Sequence, residues 1–112
     1  MSLKDPRYPC FISLFNETHF FEAHEVLEDL WMESQEPLKS FYKGLIQVAV
    51  AFAHWKRMNH RGANQVGKRG MSILRNFLPR YENIQVAELI RDCEEFLSKP
   101  GMEFPRIKTS SD

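Results

Sequence analysis

Apolar residues along this chain recur at three- and four-residue intervals, and nowhere do they alternate over a strand-length run. The clearest stripe is Phe20, Ala23, Leu27, Leu30 and Trp31, which predicts a first main helix over 16–33 with Asn16 as its cap. Pro37 suits a first helical position, where its missing N–H would be unpaired anyway, and opens a second helix running to Met58. Between Gly44 and Trp55 that helix is apolar nearly all round, as expected of the helix in the middle of the packing. Ala63, Val66, Gly70, Ile73, Leu74 and Phe77 predict a third helix near 62–78, ended by Pro79. Val86, Leu89, Ile90, Cys93, Phe96 and Leu97 predict a fourth near 84–98, capped by Asn83 and stopped by Pro100-Gly101.

Ahead of these, Pro9 to Phe15 reads as a short helical turn whose aromatic residues cover one end of the core. After them, Met102 to Asp112 reads as an extended tail, frayed beyond Ile107. Short connections favour antiparallel neighbours, so the expected fold is all-α, an up-and-down arrangement close to a four-helix bundle. The expected organisation is one domain over 1–112, with its core at 9–99 and its tail at 100–112.

Composition excludes some classes. Met1 to Cys10 contains Lys4, Asp5, Arg7 and two prolines, which is not the apolar stretch of a secretion signal, so a cytoplasmic location is expected. The most apolar run, Val48 to Ala53, is far shorter than the roughly 20 residues that cross a bilayer, so no membrane partner is expected. Cys10 and Cys93 lack metal-type spacing and read as buried core thiols.

Fifteen basic and fifteen acidic side chains cancel, but not locally: residues 1–36 carry −6, residues 37–81 carry +9 with no acid, and residues 82–112 carry −3. One reading has oppositely charged helices neighbouring one another; the other has a basic face for an anionic partner. Arg61, Lys68 and Arg75 recur every seven residues on what should be a solvated face, which favours the first. With no net field, nucleic acid is a disfavoured partner, and a homo-oligomer stays open.

Candidate chemistry concentrates in the stretch from Phe20 to Trp31. On a helix His24 and Glu28 share a face, with Glu25 about a quarter turn away. Both lie between apolar flanks, so Glu28 is expected to be partly buried and to require a partner or a shifted pKa. On the second helix Ser40, Gln47, His54 and Met58 fall in one stripe beside the small residues Gly44 and Ala51. Small residues let another helix approach closely, so Gln47 and His54 are expected to face His24 and Glu28 across a tight contact. Two histidines, carboxylates and an amide suit a metal site or an acid–base pair, and equally a buried network that only fixes helix register.

Spacing does not select a metal motif. Glu28 stands where a His-Glu-x-x-His protease has its second histidine, and the Glu-x-x-His pairs of di-iron bundles would need acids where Phe21 and Ala51 stand. If a divalent metal ion is bound, His24, Glu28 and His54 are its expected ligands and Glu25 the base that activates a bound water, which is hydrolytic chemistry. If a small polar ligand is bound instead, the same groups contact it. The alternative is a non-enzymatic interaction or structural module. His19 and His60 read as solvated, Trp31 and Trp55 as core anchors rather than stacking platforms for bases, and Gly62, Gly67 and Gly70 as packing contacts rather than a phosphate loop.

The run Phe15-Asn16, then Phe21-Glu22-Ala23-His24-Glu25-Val26-Leu27-Glu28 with Trp31, followed by Gly44-Leu45-Ile46-Gln47, His54, Asn59 and Gly62-Ala63, resembles the small proteins of domain-of-unknown-function family 309. The resemblance covers roughly Pro9 to Leu78. It implies an all-helical fold and no established reaction, although the family is sometimes described as a metal-dependent hydrolase. Its motif positions map onto His24, Glu25, Glu28, Trp31, Gln47 and His54; of these Glu25 and Glu28 are the candidate catalytic carboxylates and Gln47 and Trp31 the candidate ligand contacts.

Overall fold

The structure is a computed structural model and describes residues 5–101 and 103–110. Five helices form: α1 (Arg7–Asn16), α2 (Phe20–Glu33), α3 (Leu38–Lys56), α4 (His60–Leu74) and α5 (Val86–Ser98), with a 3-10 turn at Arg75–Phe77. The expected all-α class is therefore observed, and α2 to α5 are the four main helices. Among the described residues the only β-type pairings are isolated bridges, Tyr81 with Ile84 and Ile84 with Thr109.

The helix boundaries moved where turn chemistry, not apolar period, decides them. Asn16 does not cap α2; it ends α1, and its side chain is spent on the tail, accepting from Ile107 N at 2.6 Å and donating to Ile107 O at 3.0 Å. The expected helical turn before it is a ten-residue helix, started by Asp5, whose carboxylate accepts from Arg7 N at 2.9 Å. Two corners then share one design. Thr18 and Met58 both take φ 66, His19 N and Asn59 N donate back to Leu14 O and His54 O, and the same His19 and Asn59 precede the next helix. These are Schellman ends without the usual glycine.

Asn83 also fails as a cap. It sits at φ 68, its carbonyl accepts from Ser110 N, and α5 begins at Val86. Gln85 N donates to Lys108 O at 2.9 Å, so the tail is held through Ser110 rather than frayed after Ile107. The 3-10 turn tightens the end of the third main helix before Leu78, whose ψ of 151 is the extended conformation a following proline demands. Cys93 is buried as expected, but Cys10 is exposed on α1.

The buried residues form one cluster drawn from all five helices and the tail, including Phe11, Phe20, Leu27, Phe41, Phe52, Leu89, Phe96 and Ile107. Phe52 of α3 touches Phe15, Phe20, Phe96 and Phe104, so α3 is the central helix of the packing. It packs extensively against α2 and against α4, which have no extensive contact with each other. The closest approach is to α4: a Cβ added at Gly70 would lie 2.9 Å from both Gln47 Cβ and Gly44 O, and one at Gly44 would lie 2.8 Å from Leu74 Cδ2. The small residues beside Gln47 thus admit α4, not α2 as the stripe pattern implied. Among the described residues no helix is long and apolar enough to cross a membrane.

Candidate functional site

Because its inner face is buried and α2 and α4 flank it, α3 keeps one strip facing outward. Lys43, Gln47, Val50 and His54 recur at four, three and four residues, and all four are half-buried. On α2 the flank nearest this strip carries His24, Glu28 and Trp31; on α4 the flank turned away from α5 carries Val66 and Ile73. By helical phase these residues outline a trough with an α3 floor, a polar wall on α2 and a largely apolar wall on α4. Of the six sequence-predicted residues, His24, Trp31, Gln47 and His54 are half-buried and Glu28 is exposed on the same flank of α2 as His24, while Glu25 is exposed and turned about 100° round α2 from His24, toward solvent.

That exposure corrects the expected burial. Tyrosines and Cys93 apart, no polar or charged side chain among the described residues is buried, so a buried His/Glu/Gln register network does not exist there. Nor does any hydrogen bond or ion pair join His24, Glu25 or Glu28 to Gln47 or His54. The two sets of groups are not bonded to one another.

Each histidine is instead oriented locally. His24 Nδ1 lies 2.6 Å from the Phe21 carbonyl, and a carbonyl only accepts, so Nδ1 carries the proton and Nε2 presents a lone pair when the ring is neutral. Its ring packs on Phe21, which Arg57 covers from the other helix at 5.7 Å. His54 is fixed in the opposite sense. Asn59 caps α4, its Oδ1 accepting from Gly62 N at 3.0 Å, which turns its amide nitrogen toward His54 Nδ1 at 3.3 Å. That nitrogen only donates, so His54 Nδ1 accepts and Nε2 carries the proton.

Trp31 is half-buried with two ammonium groups over its ring, Lys39 at 4.9 Å and Lys43 at 5.1 Å. It therefore anchors the first turns of α3 to α2 and orders Lys43 at the end of the trough. His60 is exposed as expected, but it stacks on Trp55 at 3.9 Å rather than standing free. Near Phe21 a cleft lined by Thr18, His19, Ala53, Lys56 and Arg57 continues the surface. Sequence reasoning missed Lys43 and the orienting role of Asn59. The Asn-x-x-Gly spacing of a helix cap was the available signal for the latter.

The donor set does not fit a metal. Among the described residues no group of three or more His, Cys, Asp or Glu side chains is gathered to hold an ion, and His24, Glu28 and His54 do not form one. A tetrahedral or octahedral ion needs such a group within roughly 2 Å of one point. What the trough offers is one imidazole acceptor, one imidazole donor, an amide, and a carboxylate and an ammonium at its edges.

Comparison with known proteins finds the same stretch. A family model described as "Domain of unknown function (DUF309)" matches residues 8–66, the segment from α1 into α4. An uncharacterised protein of Aquifex aeolicus is 30% identical over 96 residues, covering 85% of this chain and 27% of that protein. The uncharacterised protein YpuF of Bacillus subtilis is 36% identical over 93 residues, covering 82% of this chain and 51% of its own length. The chain thus spans about half or less of the curated relatives it matches.

Proposed function

Since the chain belongs to the DUF309 family, whose description assigns no activity, its role has to be read from its own surface, and we propose that it is a binding domain that holds a small polar ligand in the trough along α3. One observation carries the reading: the hydrogen bonds to Phe21 O and from the Asn59 cap favour opposite neutral tautomers of His24 and His54, so one offers a lone pair and the other an N–H. A ligand suited to that pair carries a donor and an acceptor together, as an amide does. Gln47, on the α3 floor where Gly70 of α4 approaches its Cβ, presents the same two functions on one side chain. The apolar wall of Val66 and Ile73 and the half-buried Trp31 supply the area that small-ligand sites use for most of their affinity. No step through a metal ion is part of this reading.

The test is a nitrogen-15 NMR titration with N-acetylglycinamide, an uncharged diamide. The expected result is movement of the Gln47 side-chain amide and the His54 ring signals, absent in His54→Ala and Gln47→Ala. Signals that stay fixed, or that move equally in both variants, would remove the proposal.

A further inference from the structure

Most charges of α2 and α4 have no ion-pair partner among the described residues. Helix α2 carries Glu22, Glu25, Glu28, Asp29 and Glu33 and no Lys or Arg; of these only Glu33 is ion-paired among the described residues, to Arg7. From His60 to Phe77 the chain carries Arg61, Lys68, Arg69 and Arg75 and no acid; of these only Arg75 is ion-paired among the described residues, to Glu94. The bases of α3 and Arg57 just after it do lie beside α2, but on its aromatic rings: Lys39 and Lys43 over Trp31, Lys56 over Phe20, Arg57 over Phe21. The remaining ion pairs sit around Glu88 and Asp92 and beside Asp5. With α2 and α4 on opposite flanks of α3, one flank is acidic and the other basic, both exposed.

We propose that each flank is a docking face for the opposite flank of a second copy of this chain, with Glu22 and Asp29 of one copy meeting Arg61 and Lys68 of the next. Both pairs are seven residues apart and exposed, so each spans about 10.5 Å along its helix axis at 1.5 Å per residue. The two helices are matched in length, 14 and 15 residues. A formal net charge of zero means that two copies do not repel each other at long range, so the complementary flanks decide their approach. Phe21 and Met32, 48% and 61% exposed, border the acidic strip and add apolar area to the contact. Because the two faces differ, the contact is head-to-tail, and it closes into a ring or extends into a chain of copies. A polyanion such as DNA would use the basic flank alone and leave the acidic one without a partner.

Sedimentation velocity of the full chain at about 20 mM and about 500 mM salt tests this, since the screening length shrinks severalfold between them. The expected result is concentration-dependent association at low salt that is lost at high salt. E22Q/D29Q and R61Q/K68Q, checked for helix content, should each weaken association at least tenfold. Mixed together they should recover association that stops at dimers, because the pair retains one intact acidic and one intact basic face. A chain that stays monomeric at low salt, or variants that associate like the parent, would overturn the proposal. So would salt-sensitive DNA binding lost only in R61Q/K68Q, with the chain itself monomeric.

Discussion

His54 Nδ1 accepts a hydrogen bond from Asn59 Nδ2 at 3.3 Å, and the same Asn59 accepts one from Gly62 N at 3.0 Å. One side chain thus caps α4 and fixes which nitrogen of His54 bears the proton. Asn59→Asp keeps a cap oxygen but turns the donor facing His54 into an acceptor, so the proton should move to Nδ1 and the trough should lose its imidazole donor. Ring nitrogen-15 shifts read this directly. Asn59→Ala should cost about 1 kcal/mol through the lost cap, measured by urea denaturation.

Glu28 and Gln47 stand on a surface, not inside one. Glu28→Ala and Gln47→Ala should therefore change unfolding free energy by no more than about 0.5 kcal/mol, whereas removing one partner of a buried charged network costs roughly 3 to 5 kcal/mol. Denaturant midpoints of the two variants separate these cases.

The floor of the trough depends on how closely α3 and α4 approach. At Gly70 an added Cβ would meet the Gly44 carbonyl at 2.9 Å, and backbone cannot step aside as a flexible side chain can. Gly70→Ala should destabilise by about 1 to 3 kcal/mol despite alanine's better helix propensity, and should shift the amide signal of Gln47.

Acid should loosen the α1–α2 contact through Arg7, which lies 2.8 Å from Asp5 and 2.9 Å from Glu33. Its hydrogen bonds hold the Asp5 carboxyl down to about 2 and lower that of Glu33. Carboxyls depressed in the folded state stabilise above their unfolded values and lose that contribution as pH falls through the folded ones. Stability should therefore decline from about pH 4 toward pH 2. In Arg7→Gln that part of the decline should flatten, which melting temperatures across the range will show.

Periodicity revealed the four main helices, since each buries a stripe whose three- and four-residue spacing reflects helix geometry alone. Their ends were less legible. Thr18 and Met58 occupy left-handed positions where glycine is the usual signal, and Asn16 and Asn83, plausible caps by type, serve the tail instead. The candidate site was half legible. Helical phase brought His24 and Glu28 together on one flank and Gln47 and His54 on one strip. It could not say which neighbour Gly44 admits, because a small residue permits close approach without naming the partner. That partner is α4, and so the polar residues border an open trough rather than a sealed contact.

Metal content bears on the same point. Protein purified without chelator or a metal column should carry well under one equivalent of any divalent ion, because His24, Glu28 and His54 do not converge. Stoichiometric zinc or manganese, lost in His54→Ala, would contradict this.

The most direct measurement is a long-range nitrogen-15 spectrum of the histidine rings at about pH 8.5, where unperturbed imidazole is neutral, taken with and without N-acetylglycinamide. His24 should be protonated on Nδ1 and His54 on Nε2, with the Nε2 signals of both moving as the diamide is added. Two rings in the same tautomer, or ring nitrogens that stay fixed throughout the titration, would contradict this reading.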